Sequence, residues 1–225
     1  MSMISSSKEK IDHIWGTYNI PARYTVARFD NYYPACPEQK AARQISIDYA
    51  GNTKTIYSKG KGLFLQGPVG TGKTHLSVAT LRAVVEANID EFGCQSSDLP
   101  IYGVKEYQGY TCTMIPVVEF LGIQRQSISA KNLKKIADHL LHQAKSSEII
   151  ILDDIGAEKP SVWGEEQLFS LIDLRYRMQR ATLFTSNCTL KELEAALGER
   201  IVSRIFEMTE GVKVEGEDYR KGGLN

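Results

Sequence analysis

The sequence predicts a parallel α/β fold, and three observations carry that prediction. Short apolar strands alternate with amphipathic helices over most of the chain. One strand, Gly62-Leu63-Phe64-Leu65-Gln66, runs directly into Gly67-Pro68-Val69-Gly70-Thr71-Gly72-Lys73-Thr74, a G-x-x-x-x-G-K-[ST] loop that opens a helix. A second strand, Ile149-Ile150-Ile151-Leu152, is apolar throughout and ends in Asp153 and Asp154. Alternation of strand and helix produces one parallel sheet covered by helices. A strand without polar alternation is expected at its centre, where both faces are buried.

Each element follows from local pattern. Residues 1–20 are polar and Ser-rich, then carry Ile11, Ile14, Trp15 and Tyr18 at amphipathic-helix spacing, a helix that either packs on the body or meets a partner. Residues 37–50, with Ala41, Ala42, Ile45 and Tyr49, read as a helix ending at Gly51. After the phosphate loop a helix begins at about Gly72, with Leu76, Ala79, Thr80 and Ala83 on its inner face. Residues 89–110 hold Gly93, Pro100, Gly103 and Gly109 and are long for a connection, so a surface insertion or hairpin is expected. Thr111–Ile115 is the next strand, and Pro116 sits in the first turn of the helix after it. Ser129 is read as the N-cap of a second helix burying Leu133, Ile136, Leu140, Leu141 and Ala144. The apolar strand 149–152 is followed by a helix over about 161–180, with Leu168, Leu171, Ile172 and Tyr176 inward. Ala181–Asn187 is a strand with a polar tip, and Thr189-Leu190-Lys191-Glu192 is a capping box for a helix that stops at Gly198. A short helix carries Arg200 and Arg204, and Val212-Lys213-Val214 completes a five-stranded sheet.

Composition narrows the class. At 225 residues the chain suits one domain with a substantial core, and 42% hydrophobic with 24% charged residues is ordinary for a soluble protein. Lys and Arg total 27 against 27 Asp and Glu, so any nucleic-acid contact must be a local patch. Cys36, Cys94, Cys112 and Cys188 are far apart with no C-x-x-C, which argues against a zinc site or disulfide framework and for a reducing cytosol. No apolar run reaches membrane-spanning length and the first residues lack a signal-peptide core, so a cytoplasmic protein with no membrane partner is expected.

The chemistry centres on the glycine-rich loop. Its glycines let main-chain N–H groups converge on an anion, and the helix N-terminus adds partial positive charge. Lys73 is placed to meet the β- and γ-phosphates and the Thr74 hydroxyl to ligate Mg²⁺. Asp153 is expected to hold the metal and Asp154 to orient or deprotonate the attacking water, with Asn187 holding that water from the neighbouring strand tip. Arg200 and Arg204 share a helix face; such a pair is either solvated and salt-bridged or, as Arg204 with Arg200 in support, a charge-stabilising finger for a neighbouring subunit. Arg220 lies where it could reach the γ-phosphate of its own chain. Arg125, Lys131, Lys134, Lys135 and Lys145 make 125–145 locally basic, either a solvated face or a contact to a phosphate backbone. His139 and His142 share a helix without a third ligand and are assigned to the wet surface.

Taken together, Ile20-Pro21-Ala22-Arg23-Tyr24, Phe29-Asp30-Asn31-Tyr32, the phosphate loop, Leu152-Asp153-Asp154-Ile155-Gly156-Ala157-Glu158, Thr185-Ser186-Asn187, Gly198-Glu199-Arg200-Ile201-Val202-Ser203-Arg204 and Asp218-Tyr219-Arg220 resemble the AAA+ domain of bacterial replicative-helicase loaders of the DnaC/DnaI type. The ATPase subunit of insertion-sequence transposition, the IstB type, is similar over much of the same pattern. The resemblance spans about residues 20–222 and implies a short segment 1–20 ahead of an AAA+ domain over 21–225 with little or no C-terminal lid. It implies a Walker A motif at 67–74, Walker B at 149–154, sensor I at Asn187, an arginine finger at Arg204 and sensor II at Arg220. ATP and Mg²⁺ are the implied cofactors, with low intrinsic turnover and self-association through the ATP site. A hexameric replicative DNA helicase and single-stranded DNA are the implied partners, the helices over about 117–145 lining the DNA path. Two departures stand out: only about twenty residues precede Ile20, so a helicase contact is reduced to 11–18, altered or missing, and 89–110 exceeds the usual connection. Three functions follow: a helicase loader, a transposition helper on duplex DNA with a transposase, and a nucleotide-switched adaptor with little turnover. The Thr185-Ser186-Asn187 tip favours the first over the second, which more often ends this strand in Ser-Gln.

Overall fold

The computed structural model describes residues 19–89, 95–96, 107–108, 111–157 and 160–219. The helix expected over 11–18, Cys94, Glu158 and Arg220 lie outside the described residues. In chain order the elements are α1 (Pro37–Gly51), α2 (Thr53–Lys59), β1 (Gly62–Gln66), α3 (Lys73–Ala87), β2 (Gln95–Ser96), β3 (Tyr107–Gln108), β4 (Cys112–Pro116), α4 (Val117–Gln126), α5 (Lys131–Ser146), β5 (Ile149–Asp153), α6 (Val162–Arg177), β6 (Ala181–Ser186), α7 (Leu190–Leu197), α8 (Glu199–Met208) and β7 (Thr209–Lys213).

Five strands form one sheet in the order β4-β5-β6-β1-β7, every neighbouring pair parallel. Successive side chains of a strand point to opposite faces, and the apolar runs use both. Leu63, Leu65, Ile149, Ile151 and Leu183 join the core beneath α1 and α3. Phe64, Ile150, Leu152 and Phe184 join the core beneath α6, α7 and α8. All nine are essentially buried, and each such side chain stabilises the fold by about 1.5–3 kcal/mol. β2 and β3 pair antiparallel, so the described parts of the 89–110 segment form a short two-stranded ladder.

Caps set the helix limits. Ser161 accepts a bond from the Gly164 N–H at the start of α6, and Thr189 and Glu192 form the reciprocal capping box that opens α7. Asn52 caps α2, a helix the sequence pattern does not announce.

Four expectations need correction. Ser129 is not an N-cap: α5 begins at Lys131 after Ala130, and the Ser129 hydroxyl donates back to the Gln126 carbonyl in the turn behind it. Ile136 is 50% exposed, because α5 is rotated to bury Ala137 and Ala144 instead. The Gln124 amide donates to the Ala137 carbonyl at 2.7 Å, an approach that a bulky side chain at 137 would obstruct. His139 is half-buried with its Nδ1 unpartnered, and burial, then the neighbouring His142, lowers its pKa. Pro116 ends β4 and caps α4 from outside the helix.

One buried charge anchors the lower edge of the sheet. Arg175 of α6 has no exposed surface. Its guanidinium donates to the carbonyls of Ala144, Ser147 and Ala181 and to the Thr182 hydroxyl. Burial pushes its pKa down to about 9. The bonds tie the end of α5 to the start of β6.

Candidate functional site

The site lies at the C-terminal tips of β5, β6 and β1, three strands side by side in the sheet. Open parallel sheets bind ligands at this edge. The chain leaves β1 through the phosphate loop, whose first N–H, that of Gly67, donates to the Ser186 carbonyl on β6. Gly72 has φ +89°, a left-handed conformation, and the Tyr32 ring lies where a Cβ would point, so only glycine fits the start of α3. Thr71 closes the loop through its hydroxyl to the Pro68 carbonyl at 3.0 Å. Lys73, buried at the base of α3, donates its ammonium to the Gly67 and Pro68 carbonyls at 2.8 and 2.6 Å.

Polar side chains on four segments converge beside this loop. Asp153 Oδ1 accepts from the Thr74 hydroxyl at 3.0 Å and from the Thr185 hydroxyl at 2.7 Å. Thr185 in turn accepts from the Asp154 N–H at 2.8 Å. Asp154 Oδ1 accepts from Asn187 Nδ2 at 2.6 Å. Asp154 has φ +60°, a conformation that costs on the order of 1 kcal/mol and that its two bonded neighbours hold in place. Burial raises the Asp153 pKa and the Asp154 charge adds to that, while the two threonine hydroxyls and Lys73 pull it down. Ser186 Oγ bonds the Ile155 carbonyl and the Gln66 amide bonds the Cys188 carbonyl, so the strand tips are laced together.

Two segments remote in sequence brace the loop. The Tyr32 hydroxyl donates to the Thr71 carbonyl at 3.2 Å, its ring lies 5.7 Å from that of His75, and burial, then Cys36, pushes its pKa up to about 12. The Tyr219 N–H donates to the Gly70 carbonyl at 3.0 Å, and the Asp218 carboxylate packs directly on Gly70.

The sequence-predicted residues therefore divide into groups. Gly67 through Thr74, Asp153, Asp154 and Asn187 are brought together. Arg200 and Arg204 are not: they lie on α8 against Phe169 and Asp173 of α6. Arg125 at the end of α4 and Lys131, Lys134 and Lys135 in the first turns of α5 are all exposed, on a helix pair at the β4 edge of the sheet. Thr185 and Tyr32 at this site, and Phe169 and Asp173 beside Arg204, were not singled out from the sequence. Thr185 carried a signal as the first residue of the polar Thr185-Ser186-Asn187 tip, and Tyr32 as the last of the Phe29-Asp30-Asn31-Tyr32 motif.

The donor set at Thr74 and Asp153, a hydroxyl and a buried carboxylate oxygen, consists of hard oxygens suited to Mg²⁺. Among the described residues no cluster of three His, Cys, Asp or Glu could hold a metal ion by itself, and no helix is long and apolar enough to cross a membrane.

The family described as IstB-like ATP binding protein matches residues 108–223. The replicative helicase loader DnaI of Bacillus subtilis (strain 168) is 27% identical over 176 residues, covering 72% of this chain and 48% of its own. The replicative helicase loader DnaC of Escherichia coli (strain K12) is 22% identical over 181 residues, covering 79% of this chain and 62% of its own. The chain thus spans about half to three-fifths of the length of these relatives. A crystal structure of the DnaC helicase loader superposes with a TM-score of 0.65 at 28% identity, covering 85% of this chain and 98% of that one. A crystal structure of DnaI gives 0.64 at 20% identity, covering 88% and 93%, and shows the shared fold. The five-stranded parallel sheet flanked by helices is that AAA+ core.

Proposed function

The chain belongs to the IstB-like ATP binding protein family, and from that premise we propose that it is an AAA+ ATPase that loads or remodels a hexameric replicative DNA helicase on single-stranded DNA. The observation that carries the reading is the network joining Thr74, Asp153, Thr185, Asp154 and Asn187 at the mouth of the phosphate loop. The two relatives named as helicase loaders support helicase loading as the use to which hydrolysis is put.

In this mechanism ATP is the substrate. Its phosphates take the main-chain amides of 67–74, and the Lys73 ammonium exchanges the Gly67 and Pro68 carbonyls for them. Thr74 and Asp153 would hold Mg²⁺, which would supply charge neutralisation for the phosphates. Asp154, fixed by Asn187, orients the water and accepts its proton as oxygen attacks the γ-phosphorus and the bridging bond to ADP breaks. Arg204 completes the site of a neighbouring copy, and Arg220 reaches the γ-phosphate in its own. Arg125, Lys131, Lys134 and Lys135 contact single-stranded DNA through its phosphates. The protein acts in the cytoplasm.

Affinity purification from the native cell tests the loader reading. A hexameric helicase should co-purify, and turnover should respond to single-stranded DNA. Filaments on duplex DNA with a bound transposase would overturn it in favour of the transposition-helper reading, which the IstB-like match also supports. Binding without turnover under every condition would leave the adaptor.

A further inference from the structure

Arg204 sits in a surround more elaborate than a surface arginine needs. Its Nε donates to Asp173 Oδ1 at 2.8 Å and its Nη1 to the Arg200 carbonyl at 2.9 Å. Its guanidinium carbon lies 4.8 Å from the centroid of the Phe169 ring and 5.9 Å from that of Tyr176. Arg200 occupies the same Phe169 ring at 4.2 Å. The second oxygen of Asp173 is taken by Arg177 at 2.8 Å. Among the described residues Nη2 of Arg204 has no hydrogen-bond partner.

Stability does not account for this arrangement. A partly exposed ion pair such as Arg204–Asp173, with side chains 26% and 19% exposed, adds little stability by itself. What two bonds and an aromatic face do supply is orientation. Nε and Nη1 are fixed on two sides of the planar group, and the ring supports it from α6. Asp173 is also shared between two guanidiniums, so pairing does not cancel the charge of Arg204.

We propose that Asp173 and Phe169 are positioning residues that present the Nη2 edge of Arg204 to the γ-phosphate bound by a neighbouring copy of the chain. The proposal rests on the reading of Arg204 as a finger supplied in trans. Transition-state stabilisation by a guanidinium depends on placement within a fraction of an ångström, and an error of about 1 Å can cost on the order of 100-fold. An arginine on a flexible stem at a subunit boundary meets that demand only if its own subunit fixes it beforehand.

Mixed oligomers test the idea. A donor chain carrying Asp154→Asn keeps Arg204 and its nucleotide site but does not hydrolyse. An acceptor chain carrying Arg204→Ala keeps Asp154 but offers no arginine. An equimolar mixture should hydrolyse ATP far faster than either alone. Adding Asp173→Ala to the donor should cut that rate about 10-fold or more, on the scale of a misplaced catalytic group. Asp173→Asn, which keeps an acceptor oxygen, should restore part of the loss, and Phe169→Leu in the donor should give a smaller one. Asp173→Ala in the acceptor should leave the mixed rate near the control. If the parent mixture gains nothing, the finger in trans falls, and this inference with it. If the mixture works but donor Asp173→Ala matches the control, or both arms fall equally, the positioning role alone is overturned.

Discussion

The nucleotide cradle at the strand tips and the arginine platform between α6 and α8 are built in opposite ways. In the cradle the carboxylates of Asp153 and Asp154 are met by Thr74, Thr185 and Asn187, and the Lys73 ammonium rests on loop carbonyls. The platform leaves one edge of Arg204 open while fixing the other two nitrogens. The cradle's charged groups meet partners within the chain, whereas on the proposed reading the platform serves a neighbouring copy. On that reading, binding belongs to one copy and charge stabilisation to the meeting of two.

The largest effect expected breaks the platform alone. Arg204→Ala should lower steady-state ATP turnover by about 10³–10⁵-fold while leaving affinity for a fluorescent ATP analogue within about two-fold. Normal turnover would move the whole reaction into the cradle. Lys73→Ala should do the reverse, weakening nucleotide binding by on the order of 100-fold, about 3 kcal/mol, in the same titration. Unchanged affinity would remove the phosphate loop from the mechanism.

Smaller changes grade the cradle. Thr185→Val keeps the volume but deletes the hydroxyl that bonds both Asp153 and the Asp154 N–H. It should cost about 1–2 kcal/mol in urea denaturation and lower turnover about 10-fold. Equal turnover in that variant would mean the aspartates are placed without it.

Asp153→Asn should separate stability from function. Burial raises the Asp153 pKa in the folded protein. The stability linked to this group is therefore complete below the ordinary carboxylate value and is lost as pH rises through the raised one. Above the raised value the metal-free protein carries an unfavourable buried charge. The asparagine variant should then melt a few degrees higher without nucleotide or metal, and the gain should shrink as pH falls through the raised value. A lower melting temperature above that value would contradict a carboxylate strained by burial.

The parts legible in the sequence were those whose signal is local. The phosphate loop, the apolar β5 strand with its two aspartates and the Thr189–Glu192 capping box each lie within a few residues, and the structure places all three as read. Residues whose role depends on a distant partner were opaque. Thr185 matters because parallel pairing sets β6 beside β5, 32 residues away from Asp153 in sequence. Tyr32 matters because the chain ahead of α1 passes over a loop 39 residues later. Arg175 stands in Arg175-Tyr176-Arg177-Met178-Gln179-Arg180, a stretch that reads as a charged helix end, yet it is fully buried against carbonyls supplied by α5 and β6. Ser129 misled because a hydroxyl near a helix start can serve either the helix ahead or the turn behind, and it serves the turn.

The order of strands has a consequence for synthesis on the ribosome. β1, made early, is flanked in the sheet by β6 and β7, the last two of the five to be translated. The loop that follows it is fixed by Ser186 and Tyr219, and Gln66 just ahead of it by Val214, all of which emerge late. A nascent chain that already displays the glycine-rich turn still lacks its flanking strands. The loop therefore reaches its described geometry only once the late strands β6 and β7 have been made.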